Sequence, residues 1–361
     1  MSVLAIDSTQ ALQEAVREGP RVLPVGAGTK PALVRAPAED VVMLELGALR
    51  GIVEYDPAEL TFTARAGTPV AEIADTLAEH GQYLPFDPPF ADAGATLAGV
   101  VAAGASGANA YRHGGLRDFI LGVRLIDGTG RLIAGGGKVV KNAAGFDLPK
   151  LMVGSIGRLG VMVELSFKVF PRPRATRTLL FELPGIGEAL AIVSTLARGP
   201  VALDALDFDS RGRLLARLGG APETLDRRTA RVADAVGVWP RELDGEQDRS
   251  FWHDAAELAW APRDAALVRV ATAPHRVLAL DAALSDAGAQ ARYSLAANVA
   301  WVAWPHAREL HELDGALRGI GSRGMLLAGA VGPPLLGASE TGEFATRVTA
   351  ALDPDSRFLR I

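Results

Sequence analysis

Residues 94–122, GATLAGVVAAGASGANAYRHGGLRDFILG, carry almost no large side chain before Tyr111. Such a run of small residues lets another backbone, or a flat and extended ligand, lie directly against the main chain. Two interpretations fit the run by itself: tight packing of a helix against its neighbours, or one wall of a cofactor site. The choice between them depends on the sequence to either side.

Upstream, residues 24–30, PVGAGTK, follow a short apolar stretch that predicts a strand. Gly26 and Gly28 can leave backbone N–H groups free to converge on an anion, and Thr29 adds a hydroxyl donor. The spacing differs from the G-x-G-x-x-G fingerprint of Rossmann folds. Taken alone, the segment also fits a plain glycine-rich turn.

Downstream, residues 138–164, KVVKNAAGFDLPKLMVGSIGRLGVMVE, place Gly154, Gly157 and Gly160 three apart before a β-branched and aromatic strand. By themselves these glycines also fit a loop with tight turns. Before this segment, the Asp127-Gly128 dipeptide predicts the turn of a β-hairpin.

The prolines and arginines of FPRPRATRT, which begins at Phe170, predict an exposed linker and a domain boundary. Beyond it, short strands alternate with amphipathic helices, as in TLLFEL followed by GIGEALAIVSTLARG. This order is typical of an α+β domain with helices on one face of an antiparallel sheet. We therefore predict domains at 1–172 and 173–340, and a C-terminal return segment at 341–361.

The composition sets limits on function. The length of 361 residues suits about two domains, and the net charge of −5 argues against a general nucleic-acid binder. Because the chain has no cysteine, it cannot form disulfides, hold a cysteine-ligated iron–sulfur cluster, use a thiol nucleophile or tether a flavin through sulfur.

Targeting signals are not expected either. The N-terminus lacks a basic region followed by an apolar run, so we expect no signal peptide. No stretch approaches the ~20 apolar residues that a membrane span needs. We expect a cytoplasmic chain that partner subunits could bring to a membrane.

Taken together and in this order, the three glycine-rich segments resemble the FAD domain of the vanillyl-alcohol oxidase and p-cresol methylhydroxylase (PCMH) group. The resemblance covers about residues 5–172, and the stretch 113–173 is most similar to FAD-binding subunits E of glycolate oxidases. It implies an α+β chain: a two-part PCMH-type FAD-binding domain, then a smaller α+β cap domain with an antiparallel sheet.

The resemblance also assigns cofactor-binding residues: a pyrophosphate loop, a second FAD-contacting segment, a glycine near the cofactor, and a pair facing the adenine or ribose end. In that order they are Val25, Gly26, Ala27, Gly28 and Thr29; Leu97, Gly99, Val100, Ala103, Gly104, Ala105, Ser106 and Gly107; Gly114; and Gly160 and Val161.

Further matches carry other implications. Arg117 and Asp118 match a family pair that we interpret as structural, a cap or an ion pair. Lys141, Asn142, Phe146 and Asp147 match its KN-x-x-GYD segment. Because Phe146 replaces a tyrosine and has no hydroxyl, we expect no catalytic role for it.

The flavin should be bound noncovalently. Family members that tether it use His or Cys, whereas cysteine is absent here and Lys30 follows the pyrophosphate loop. The group's 2-hydroxyacid dehydrogenases carry a metal-binding histidine cluster in the substrate domain. Here His306 and His311 lie five apart, roughly 140° around a helix, so we expect surface histidines and no metal. The catalytic residues stay unknown.

Trp252, Trp260, Trp301 and Trp304 fall in the second domain. Core packing is the default interpretation, although an exposed subset could anchor a partner subunit.

Three functions remain open. The first is a subunit of a glycolate oxidase complex, working with a homologous catalytic flavoprotein and an iron–sulfur subunit on a small 2-hydroxyacid. The second is a stand-alone FAD oxidoreductase for a hydroxy acid or alcohol, with His113, Tyr111 or Lys141 as candidate bases. The third is a scaffold without functional flavin, which the glycines at 26, 28, 99, 107 and 160 argue against.

Overall fold

The computed structural model describes residues 2–34, 41–137, 146–337 and 342–359. The chain forms two compact units: the first comprises Met1–Ser106, Gly115–Pro171 and Glu340–Ile361, and the second comprises Gly107–Gly114 and Arg172–Ser339. The chain thus passes through the second unit briefly after the small-residue run, and returns to the first unit at its C-terminal end.

The first unit begins with a parallel sheet. In chain order its elements are β1 (Ser2–Ala5), α1 (Thr9–Glu18), β2 (Arg21–Val25) and β3 (Val41–Glu45), and the strand order is β1-β3-β2. Ser8 starts α1 as its N-cap, where its hydroxyl accepts from the Ala11 N–H at 3.2 Å. Leu12 and Val16 form the buried face of the helix.

The chain from residue 52 to 171 supplies the next elements. They are β4 (Ile52–Asp56), β5 (Thr61–Arg65), α2 (Val70–Ala78), β6 (Gln82–Tyr83), α3 (Leu97–Ala103), α4 (Ala110–His113), α5 (Leu116–Phe119), β7 (Ile120–Ile126), β8 (Leu132–Gly136), α6 (Leu148–Met152), β9 (Val161–Lys168) and β10 (Phe170–Pro171).

Five of these strands form an antiparallel sheet in the order β4-β5-β9-β7-β8, and β6 pairs with β10. The predicted hairpin is present as β7 and β8. Phe62 on β5 stacks on Phe167 on β9 with ring centroids 5.8 Å apart, and both rings are buried in the core of this sheet.

The second unit contains the remaining strands. In chain order its elements are β11 (Ala175–Glu182), α7 (Ile186–Arg198), β12 (Ala205–Asp209), β13 (Arg213–Gly220), α8 (Pro222–Val236), β14 (Arg241–Asp244), α9 (Gly245–Ala256), β15 (Ala266–Ala271), α10 (Val277–Asp286), β16 (Gln290–Ser294), β17 (Val299–Trp304), α11 (Leu310–Ile320), β18 (Arg323–Ala328) and β19 (Leu335–Gly337).

These strands form one sheet in the order β14-β11-β13-β12-β16-β17-β15-β18-β19. Every strand pairing within its described residues is antiparallel. Helices α7, α8, α10 and α11 pack on its strands. The predicted fold class is therefore confirmed, both for the first unit and for the antiparallel α+β second unit.

The C-terminal segment, α12 (Glu343–Leu352) and the residues after it, groups with the first unit. Phe358 forms a parallel bridge with Val22, and Arg357 donates hydrogen bonds to the carbonyls of Arg17, Gly19 and Pro20 at the end of α1. These contacts cap the helix with a cation at its C-terminus.

The observed units differ from the predicted boundaries at residues 107–114, which group with the second unit. The interpretation of 173–340 as a cap domain for a substrate or a partner stays a prediction. Among the described residues, no helix is both long and apolar enough to cross a membrane.

Candidate functional site

The first unit contains a cleft of about 730 Å³, including the part that is open to solvent. Its walls come from segments that are far apart in sequence: residues 24–34, 96–103 and 156–162, with single contributions from Leu46 and Ala66. The three segments are those that the sequence analysis singled out.

The loop after β2 brings bare backbone to the cleft. Gly28 has a φ of +69°, in the left-handed region, and a Cβ built on it would meet nothing within 4 Å. Its peptide groups are therefore open to a ligand that must approach the main chain closely. Gly26 is needed for another reason: a Cβ there would lie 2.2 Å from Thr96 Oγ1.

The second wall is α3. Thr96 caps this helix, and its hydroxyl accepts from the Gly99 N–H at 3.3 Å. The side chains that α3 presents to the cleft are small ones, Ala98, Ala102 and Ala103. Both interpretations of the small-residue run, close packing and the wall of a cofactor site, therefore fit the structure. The run packs closely against the loop at Gly26 and also lines the cleft.

The third wall is the turn before β9. Ile156 has a φ of +51°, which is strained for a β-branched residue, and its N–H donates to the Ala102 carbonyl at 2.9 Å. A Cβ on Gly157 would lie 2.7 Å from Pro24 Cγ. Close backbone contacts therefore hold the three walls together, and at Gly26 and Gly157 they leave no room for a side chain.

Lys30 supplies a positive charge to this otherwise apolar cleft. The side chain is 6% exposed, Nζ donates to Thr29 Oγ1 at 3.3 Å, and it lies 5.2 Å from the centroid of the Phe90 ring. A buried ammonium favours an anionic partner because burial removes most of its hydration. The sequence analysis did not assign Lys30, although its place directly after the glycine-rich loop was a usable signal.

The structure brings part of the predicted set together. The predicted residues that line the cleft are Gly26, Ala27, Gly28, Thr29, Gly99, Ala103 and Gly160. Those that lie elsewhere are Val25, Leu97, Val100, Gly104, Ala105, Ser106, Gly107, Gly114 and Val161.

The second group has identifiable structural positions. Val25 packs in a core cluster with Leu23 and Val41, while Leu97, Val100, Ala105 and Val161 are fully buried. Gly104 ends α3 in the left-handed conformation, and the Ser106 hydroxyl accepts from the Leu116 N–H at 3.2 Å. Gly107 and Gly114 belong to the second unit. A direct role in FAD binding stays a prediction for all of these residues.

The other family matches fall at helix ends. Asp118 accepts from the Gly115 N–H at 2.9 Å, so it caps α5 as the structural interpretation expects. Asp147 caps α6 by accepting from the Lys150 N–H at 3.2 Å. Phe146 is exposed and stacks on Phe344. Lys141 and Asn142 lie outside the described residues.

Two candidate bases, Tyr111 and His113, are half-buried in the short segment that groups with the second unit. Burial lowers the pKa of His113, as does the charge of Arg112, against an opposing effect of Asp204. Burial raises the pKa of Tyr111. At neutral pH His113 is therefore a neutral imidazole that can accept a proton, and Tyr111 is protonated.

Within the described parts of the chain, no group of three or more His, Asp or Glu side chains could hold a metal ion. Trp252, Trp301 and Trp304 are buried, as core packing predicts, whereas Trp239, which the sequence analysis passed over, is 65% exposed.

A small parallel sheet and a five-stranded antiparallel sheet, joined around a glycine-lined cleft, define the two-part FAD-binding fold of the PCMH type. Residues 3–136 match the family model described as FAD binding domain. This part of the first unit is therefore similar to FAD-binding domains, and the predicted resemblance is confirmed.

The chain is similar to two glycolate oxidase subunits. It is 42% identical to glycolate oxidase subunit GlcE of Escherichia coli K12 over 207 residues, which are 56% of this chain and 58% of that protein. It is 29% identical to glycolate oxidase subunit GlcD of Bacillus subtilis over 194 residues, 54% of this chain and 41% of that protein. The matches thus span about half the length of these relatives.

Among solved structures, an alkyldihydroxyacetonephosphate synthase superposes with a TM-score of 0.72. The superposition covers 98% of this chain and 75% of the other, at 15% sequence identity. At this identity the likeness establishes the fold, which extends through both units.

Proposed function

We propose that this chain is the FAD-binding subunit of a glycolate oxidase (glycolate dehydrogenase) complex and takes part in electron transfer from 2-hydroxyacid oxidation. The observation that carries the proposal is the cleft of the first unit, whose three walls lie within residues 5–172, the stretch that resembles the FAD domain of the family. The cleft supports dinucleotide binding because bare backbone at Gly28 and the buried cation of Lys30 suit a pyrophosphate group.

The flavin is held without a covalent bond in this proposal. Among the described residues that line the cleft there is no Cys, His or Tyr. The phosphates would be bound by Lys30, Thr29 and the peptide groups near Gly28. The small side chains of α3 would leave room for the rest of the FAD molecule. Bound FAD would supply the acceptor for the hydride that leaves the substrate carbon.

Noncovalent binding has a direct test. Acid precipitation of the holoprotein should release all of its flavin into the supernatant. Flavin absorbance that stays with the precipitated polypeptide would contradict this part of the proposal.

The partners in this proposal are a homologous catalytic flavoprotein subunit and an iron–sulfur subunit. Since this chain has no cysteine, a cysteine-ligated cluster must be carried by another subunit. A cytoplasmic location follows for the chain itself, with any membrane association supplied by the partners.

The test is co-expression of this chain with the candidate partners, measuring flavin content and glycolate-dependent dye reduction for the chain alone and for the complex. The matched variant is Lys30→Met in this chain. It should lower the flavin content by about one FAD molecule per complex. A complex that keeps full activity when this chain is left out would overturn the proposal.

A second function, a stand-alone oxidoreductase for a hydroxy acid or alcohol, is favoured by the neutral state of His113. A neutral imidazole can take the hydroxyl proton as hydride leaves the substrate. If glycolate or D-lactate reduces the flavin of the isolated chain, and His113→Gln abolishes the reduction while leaving the flavin bound, this function replaces the first.

A further inference from the structure

The central strand β15 of the second unit carries an arginine, Arg269, that has no partner among the residues that the structure describes. Arg269 is half-buried, and its Nε has neither accessible surface nor a hydrogen bond. Across all the residues that the structure describes, its guanidinium makes no ion pair, hydrogen bond or ring contact. Burial lowers the pKa of Arg269, yet a guanidinium keeps its proton in proteins. Within the described part of the chain, no carboxylate is paired with this positive charge.

The neighbours of Arg269 across the sheet are bulky and apolar. Trp301 on β17 and Met325 on β18 are its Cα partners. Because β15 pairs with both of these strands, the backbone N–H groups around Arg269 belong to the sheet ladder and are not free to bind a ligand. A ligand at this place must be held by the guanidinium itself.

A second arginine in the same cross-strand row has different surroundings. Arg292 on β16 is the Cα partner of Trp301 on one side and of Asp209 on the other. Asp207 and Asp254 also act on its charge, and its guanidinium lies over the Trp260 ring at 5.1 Å. Asp209 is itself paired with Arg213 at 2.6 Å, so Arg292 differs from Arg269 in its ring contacts and in the carboxylates near it, not in an ion pair of its own.

We propose that Arg269 anchors a binding site for a small monocarboxylate on this face of the second unit's sheet. A planar guanidinium matches the two oxygens and the single charge of a carboxylate. A phosphate would bring more charge and more oxygens than one arginine without backbone donors can satisfy. The inference rests on the proposed function in one respect, that the monocarboxylate is the substrate glycolate.

The experiment is isothermal titration calorimetry of the FAD-loaded protein with glycolate, and with glycolamide as the neutral isostere. Wild type should bind glycolate and bind glycolamide roughly tenfold or more weakly, because the guanidinium recognises the negative charge. Arg269→Met should lose roughly tenfold or more in glycolate affinity, and Arg269→Lys should fall between the two. The control is Arg263→Met, an exposed arginine before β15, which should bind as wild type does.

Unfolding of the same variants separates a ligand residue from a structural one. If Arg269 serves a ligand, Arg269→Met removes an unpaired buried charge and should leave the melting temperature of the ligand-free protein unchanged or higher. A lower melting temperature with unchanged glycolate affinity would make the residue structural and overturn the proposal. Wild-type protein that binds glycolate and glycolamide equally well would also overturn the proposal. This measurement does not depend on the folding of any variant.

The outcome is distinguishable from that of the proposed function. If glycolate binds through Arg269 but never reduces the flavin of the chain or the complex, the site stands and the glycolate oxidase function fails. If the complex oxidises glycolate while Arg269→Met has no effect on binding, the function stands and the site is wrong.

Discussion

At the scale of single residues, the cleft depends on positions where one Cβ would not fit. The glycine-rich loop and the cap of α3 are separated by about seventy residues in sequence, yet Gly26 and Thr96 are so close that a methyl group on Gly26 would reach 2.2 Å from Thr96 Oγ1. Such an approach fixes the position of the loop over the helix, and therefore the width of the cleft.

Gly26→Ala should destabilise the protein by about 1–3 kcal/mol and weaken FAD binding, because the loop must move away from α3. Combining it with Thr96→Ala should cost less than the sum of the single changes, since the second change removes the hydroxyl that clashes. The measurement is urea unfolding of the four proteins of the cycle, with FAD titration beside it.

Gly47→Ala serves as the control for this cycle, because Gly47 is exposed and its Cβ would meet nothing within 4 Å. It should unfold within about 0.5 kcal/mol of wild type. Strictly additive effects of Gly26→Ala and Thr96→Ala would show that the contact does not position the loop.

Lys30→Met should weaken FAD binding roughly tenfold or more while leaving the fold intact, since it removes the charge that faces the phosphates but keeps the length of the side chain. Lys150→Met is the control, because this lysine forms an exposed pair with Asp147 that should contribute little. Fluorescence titration with FAD measures both. Equal affinities would remove Lys30 from the site.

Sequence reasoning finds residues of this kind when the pattern is local. The loop glycines and the helix N-cap at Ser8 were predictable from their neighbours. The Gly26–Thr96 contact was not, because it joins segments that are far apart. The position of Lys30 after the loop was visible, but its burial was not predictable, because a lysine after a turn is usually solvated.

At the scale of elements, one carboxylate fixes α9 to the second unit's sheet. Asp248 is inaccessible to solvent and accepts hydrogen bonds from Thr176 Oγ1 at 2.6 Å, Thr178 Oγ1 at 2.7 Å and Arg217 Nη2 at 2.6 Å. The Trp252 indole, one turn further along α9, donates to Thr178 Oγ1 at 2.6 Å. The helix is therefore held on β11 and β13 by a polar network in which each of these groups has a partner.

Asp248→Asn should destabilise the second unit by about 3–5 kcal/mol, because it leaves the Arg217 charge buried without its counter-ion. Asp226→Asn, which breaks an exposed pair with Arg177, should cost less than about 1 kcal/mol. Urea unfolding followed by tryptophan fluorescence reports on the network through Trp252. Similar losses of unfolding free energy in the two variants would mean that the buried pair contributes no more to stability than the exposed pair.

The β7–β8 hairpin should add a pH-dependent contribution to stability. Burial of Asp127 raises its pKa, but hydrogen bonds from Thr129 and the Arg131 backbone, together with the Arg131 charge, outweigh burial and hold the pKa below its ordinary value. A carboxyl group whose pKa is lower in the folded state stabilises the fold fully at pH values above its unfolded-state pKa, about 3.9. This stabilisation is lost as the pH falls through the folded-state pKa.

Wild type should therefore exceed Asp127→Asn in unfolding free energy by a constant margin between about pH 7 and 5, and the margin should shrink below about pH 4. Urea unfolding across this pH range measures it. A margin that grows on acidification would reverse the sign and contradict the hydrogen-bond explanation.

Elements with a strong local pattern were predictable, including the β7–β8 hairpin and the strand β9 after Gly160, which ends at Lys168. The membership of residues 107–114 in the second unit was not. Gly107, Ala108 and Ala110 suit any close packing. A contact that ties the segment to the second unit, Arg112 Nη1 to Asp204 Oδ1 at 2.9 Å, spans about ninety residues.

At the scale of the whole molecule, the first unit is assembled from three separate parts of the chain. The last part places Phe358 and Leu359 in its core, beside the parallel sheet that begins the chain. The stability of the FAD-binding domain thus depends on residues more than three hundred positions from its glycine-rich loop.

Phe358→Ala should destabilise the first unit by about 3–5 kcal/mol, the usual loss for a buried phenylalanine. Phe344→Ala, at an exposed position of α12, should cost under about 1 kcal/mol. Thermal unfolding with and without FAD measures both. If the two variants melt alike, the return segment does not support the domain.

The return of the chain also sets an order of events during biosynthesis. Domains usually fold as they leave the ribosome, the N-terminal one first. Here the strands β1 to β3 emerge early, whereas Phe358 and Leu359 follow the strands of the second unit along the chain. The apolar surface around Val22 and Leu23 therefore stays uncovered until the second unit has been translated, and only then can the core of the first unit close.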